Sequence, residues 1–166
     1  MTKAVWTAFL SAAALCVSTS VFAQATDAAT VNVSATVAAK AKLTIAGGPV
    51  SFPDADPTAT PVISASALTI DVKARTSASG SVTLTALASD DLKTAGSDVI
   101  TINNLTWTVS GAGFVAGTMS KSSAQSVGTW TGSGSPSGSQ TLKLANSWSY
   151  ATGSYSTTVT YTLTAP

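Results

Sequence analysis

Residues 30–45 read TVNVSATVAAKAKLTI, and every odd position from Val31 to Ile45 is apolar. Successive side chains of an extended chain point to opposite faces. Val31, Val33, Ala35, Val37, Ala39, Ala41, Leu43 and Ile45 therefore form one apolar row, with Asn32, Ser34, Thr36, Lys40, Lys42 and Thr44 opposite. The stretch predicts an N-terminal strand over 30–45 with one core-facing side. At about 3.3 Å per residue it reaches roughly 50 Å, longer than a small sandwich uses. Two arrangements stay open: a break near Ala38–Lys40 into two strands, or donation of the first half to a neighbouring molecule.

The same period of two recurs downstream. Leu68–Arg75 sets Leu68, Ile70, Val72 and Ala74 against Thr69, Asp71, Lys73 and Arg75; Ser81–Ala88 turns Val82, Leu84, Ala86 and Ala88 inward. Asp98–Ile102 and Leu105–Ser110 flank Asn103-Asn104, two residues that tolerate positive φ, which predicts a tight hairpin. Leu105, Trp107 and Val109 share a face of its second arm. Gln140–Ala145 offers Leu142 and Leu144. Tyr155–Thr164 places Tyr155, Val159, Tyr161 and Leu163 against four threonines. The run GSGSPSG at 132–138 reads as a long flexible loop. Short strands between turn signals, with clean alternation, predict an all-β fold, an antiparallel β-sandwich.

Residues 1–23 have the parts of a secretory signal: Lys3, an apolar middle over Ala4–Val17, and the small-x-small site Val21-Phe22-Ala23. Cleavage before Gln24 leaves one domain over 24–166 without cysteine, since Cys16 lies in the signal. The apolar run is short for a membrane span. Export to the periplasm, and from there to the cell surface or beyond, is the localisation this predicts. With Lys3 removed, six Lys and Arg75 balance seven Asp. A neutral chain has no cationic footprint for nucleic acid and no polybasic membrane patch.

The chain has no His and no Glu. The familiar hydrolase relay cannot be assembled without His, and an Asp-only mechanism needs two carboxylates on one cleft. Ser120-Lys121-Ser122 is the remaining nucleophile–base pair, with nothing in the surrounding sequence to activate it. The inventory predicts a non-enzymatic protein without a cofactor. Zinc lacks its preferred ligands, and for calcium Asp54, Asp56, Asp90 and Asp91 are the only nuclei, in no DxDxDG-type loop. Asp54 and Asp56, within FPDADP, read as a rigid exposed turn. Among the aromatics, Trp107 reads as core. Trp130 and Trp148 flank the Gly/Ser run, with Tyr150 close by, and form the best candidates for a ligand site. Rings of this kind either stack on sugars or cover the end of the core with bonded indole N–H groups.

The two ends together resemble chaperone–usher fimbrial subunits, most closely pilins of the coli-surface-antigen type. The matching residues are VNVSATV at 31–37 and GSYSTTVTYTLTAP at 153–166, with Gly153, Tyr155, Val159 and Tyr161 carrying the terminal pattern. The resemblance implies an immunoglobulin-like sandwich that is incomplete and that polymerises when the N-terminal strand of one subunit completes the next. Val31, Val33, Ala35 and Val37 would be the inserted row, and self-association, other surface subunits and a periplasmic chaperone the partners. The physics stands by itself, because an unpaired edge is a template for another strand. The expected function is an exported structural or adhesive surface subunit; the alternative is a secreted carbohydrate-binding module using Trp130, Trp148 and Tyr150.

Overall fold

The computed structural model describes residues 25–166; the export signal expected over 1–23 lies outside them. Residues 25–39 carry no helix or strand and are exposed. The strands lie within the unit Thr36–Pro166. In chain order they are β1 (Lys40–Ala46), β2 (Val62–Ser64), β3 (Leu68–Arg75), β4 (Ser81–Ala88), β5 (Leu92–Lys93), β6 (Val99–Ile100), β7 (Leu105–Ser110), β8 (Gly117–Thr118), β9 (Gln125–Thr131), β10 (Ser137–Ala145) and β11 (Val159–Thr164).

Alternation decides which face of each strand is buried. In β3 and β4 the apolar sets 68, 70, 72, 74 and 82, 84, 86, 88 are all buried. A single-faced strand needs a second layer to cover it, and the ladders supply two. One antiparallel sheet runs β1-β3-β10-β7-β8, with β2 also paired to β10, and the other runs β11-β4-β9. Ile70, Val72, Trp107 and Leu142 of the first pack with Val82, Leu84, Ala86 and Val127 of the second in one core. The fold is an all-β antiparallel sandwich.

β2 and β3 are one strand interrupted by a bulge. Leu144 stands opposite Ile63 while Gln140 stands opposite Leu68, so this edge spends one residue more than β10 between the two pairs. The buried positions accordingly change from Ile63 and Ala65 to Leu68 and Ile70. The extra residue lets both halves bury their apolar side chains despite the change of phase.

In immunoglobulin constant-type domains one sheet has the order A-B-E-D and the other G-F-C. Here β1, β3, β10 and β7 give A-B-E-D, and β11 and β4 give F-C. β9 takes the place beside C, although in chain order it comes between β7 and β10. Tyr155, just before β11, donates its hydroxyl to the Ala151 carbonyl at 2.8 Å, the corner contact that precedes strand F in such domains. Tyr155→Phe is expected to cost about 1 kcal/mol, the worth of one such bond, read as a lower urea midpoint at constant slope. No described residue pairs with the outer edge of β11, where strand G would lie.

One open sequence expectation narrows and three are corrected. Ladder pairing of the strand expected over 30–45 begins only at Lys40, and 30–39 have no partner strand among the described residues. Asn103-Asn104 is no hairpin turn: Ile102–Asn104 form a 3-10 turn, β6 pairs with β5, and β7 pairs with β10 and β8. The Asp91 carboxylate accepts the Ile102 N–H at 2.9 Å and holds that turn. The run 132–138 is not a free loop, because Gly134 bridges Ala74 and Ser137-Gly138 extend β10 along β3. The last strand is shorter than Tyr155–Thr164, since Tyr155 serves the corner instead.

Candidate functional site

The two flanks of the sandwich differ. On the β8–β9 flank, backbone hydrogen bonds join the sheets: Val115 N–H to Val127 O and Thr129 N–H to Gly113 O, both 2.9 Å, with Phe114 bridging Gly128. Trp130 seals it. Its ring meets Phe114 edge-on at 5.0 Å and its indole N–H donates to Ala112 O at 2.9 Å. The ring lies so close over Gly113 and Gly128 that a β-carbon at either position would collide with it. Trp130 is therefore a structural side chain.

On the other flank β1 and β11 approach without sharing a ladder. Val159, Tyr161, Leu163 and Ala165 on one side, and Leu43 and Ile45 on the other, pack against the core and remain partly exposed. An edge strand presents alternate unpaired N–H and C=O groups along its length. Tyr161 is the anchor of this row. Its hydroxyl donates to Oε1 of Gln140 at 2.6 Å, and burial pushes its pKa up to about 12. Gln140 is fully buried, and its Nε2 finds no partner among the described residues.

The sequence-predicted assembly row is accessible. Val31 is 80%, Val33 90% and Val37 68% exposed, and Ala35 is exposed as well. Singly exposed valines are ordinary, but an alternating run of them without a partner strand among the described residues is not.

The predicted aromatic group is divided. Trp130 belongs to the β8–β9 flank, whereas Trp148 stands 74% exposed in the turn after β10, with its indole N–H donated to Thr58 Oγ1 at 3.1 Å. Tyr150 packs against the core, and burial raises its pKa. The indole bond ties Trp148 to Thr58, the residue that follows FPDADP with its Asp54 and Asp56, a link that sequence separation conceals.

Asp90 and Asp91 are engaged by lysines. Lys93 and Lys121 reach Asp90 at 2.5 and 3.2 Å, and Lys121 reaches Asp91 at 2.5 Å. Hydrogen bonds from Lys93, the Asp91 N–H and Lys121 lower the Asp90 pKa; those from Lys121 and the Ile102 N–H lower that of Asp91. The pKa of Lys121 is raised by its bonds to Asp91 and Asp90, so the lysine of Ser120-Lys121-Ser122 is an ion-paired cation and not a free base. Among the described residues no group of three or more His, Cys, Asp or Glu is placed to hold a metal. Because both aspartates titrate below their ordinary range, the stabilisation from this cluster is present above about pH 4 and is lost as the pH falls further. Thermal melts are expected to be level from pH 7 to 5 and to fall below 4. Lys121→Met should lower the plateau and flatten the acid limb.

Neither the known protein families nor the curated protein sequences compared with this chain include a match, so the geometry of the open flank and of the Trp148 surface carries the functional reading.

Proposed function

We propose that this protein is an exported, non-enzymatic surface subunit that assembles with copies of itself by strand donation. In this reading the segment around Val31–Val37 of one copy lies along the outer edge of β11 in the next. The observation that carries it is the outer edge of β11, unpaired among the described residues, beside a partly exposed apolar row. Val159, Tyr161, Leu163 and, just beyond β11, Ala165 are four alternate positions over seven residues, the same length as Val31, Val33, Ala35 and Val37. Each newly buried valine contributes about 1.5–3 kcal/mol, and the ladder adds its hydrogen bonds. A periplasmic chaperone would fit the same edge before assembly.

Size-exclusion chromatography with light scattering, on the chain from Gln24 beside a chain from Ala38, tests the reading. The expected result is a ladder of heat-resistant oligomers from the longer chain only. The shorter chain should fold as a monomer and bind a peptide of residues 26–37. A stable monomer from the longer chain, with a misfolded shorter one, would overturn donation.

A further inference from the structure

We infer that Trp148 and the segment 52–61 form a binding surface for a neutral saccharide, separate from the β1–β11 flank and independent of assembly. An exposed indole is ordinarily free to turn. Here its N–H is fixed on Thr58 Oγ1 at 3.1 Å, while the ring stays 74% exposed. Thr58 is itself held, because Asp56 Oδ1 accepts the Thr58 and Ala59 N–H groups at 2.7 and 3.4 Å. Asn146 locks the two segments together. Its Nδ2 donates to Ala55 O at 2.9 Å and to Thr60 O at 3.1 Å, and its backbone N–H donates to Pro61 O at 2.8 Å. The ring is thus a preorganised platform, which lowers the ordering cost of binding.

The segment that fixes the ring also carries two carboxylates, and these select the ligand. Asp54 and Asp56 are exposed, and Asp54 and the Oδ2 of Asp56 make no hydrogen bond among the described residues. Ionised carboxylates are acceptors only, and the indole donor is already used. The surface therefore calls for a ligand with an apolar face and a rim of donors. A pyranose ring has both: axial C–H groups for the indole and hydroxyls for the carboxylates. A proline-rich peptide presents chiefly carbonyl acceptors and lacks donors for Asp54 and Asp56. A nucleotide would bring phosphate to two carboxylates and be repelled. Stacking plus a few directed polar contacts is the ordinary composition of a small-ligand site.

The test uses the full chain, expressed with its export segment, against immobilised neutral oligosaccharides of glucose, galactose, mannose and N-acetylglucosamine. At least one is expected to bind. Trp148→Ala should weaken that binding by about tenfold or more, the order expected for one lost stacking partner, with an unchanged melting temperature. Trp148→Tyr should retain most of it. Asp54→Asn should cost several-fold, and Thr58→Ala less, by releasing the indole. The inference is overturned if no member of the panel binds, or if Trp148→Ala or Asp54→Asn binds as the parent does. It is equally overturned if a proline-rich peptide is the ligand that depends on Trp148.

Discussion

Val33→Asp is expected to abolish assembly while leaving the folded body as stable as before. Val33 is 90% exposed and has no partner strand among the described residues, so a polar replacement there should change stability by no more than about 0.5 kcal/mol. In a donated strand the same side chain would be buried in the inserted row. An ionised carboxylate buried there without a partner costs several kcal/mol, and each 1.4 kcal/mol is a factor of ten in the association constant. The heat-resistant ladder should disappear and the melting curve of the monomer should stay in place. Asn32→Asp, one residue away on the opposite side of the strand, should leave assembly intact. If Val33→Asp instead lowers the melting temperature of the monomer, the segment pairs within its own fold and donation is excluded.

Trp107→Ala should produce the largest loss of stability of any single substitution considered. The side chain is 2% exposed, its indole N–H donates to Val115 O at 2.9 Å, and its ring lies against Gly117, where no β-carbon would fit. Truncating a buried tryptophan costs about 3–5 kcal/mol through lost burial and the cavity left behind. The stranded Val115 carbonyl adds to this. A domain of ordinary stability holds about 5–15 kcal/mol in total, and residues 24–166 contain no cysteine with which to offset the loss. The urea midpoint should fall steeply, and Trp107→Phe should fall less because it keeps most of the volume. An unchanged midpoint would mean that the core is not centred on this ring.

Local pattern was legible where one strand face meets the core and the other meets water. Leu68–Arg75 and Ser81–Ala88 agree with β3 and β4 residue for residue, because alternation and burial are there the same fact. Asn103-Asn104 misled because the pair tolerates positive φ without requiring it. The hydrogen bond from the Ile102 N–H to Asp91, eleven residues earlier, favours a 3-10 turn, and no pair pattern encodes that contact. The Gly/Ser composition of 132–138 suggested freedom, yet small residues are also what permits close backbone approach: Gly138 lies against Ser110 and Phe114. The phase change between Ala65 and Leu68 is visible in the sequence only once the partner strand is known. The same holds for the candidate sites. Trp130 and Trp148 look equivalent in the sequence, and only the glycines beneath one and the threonine beside the other separate a wedge from a platform.

The asymmetry of the two flanks has a consequence for the shape of any assembly. With the β8–β9 flank laced shut, assembly by the proposed donation would give each copy, among the described residues, one vacancy beside β11 and, in Val31–Val37, one plug. Units of valence two, joined head to tail, can form only an unbranched thread or a closed ring. Such a thread would have one empty vacancy at one end and one unused plug at the other. Its growth can therefore be stopped by a cap that supplies either piece alone.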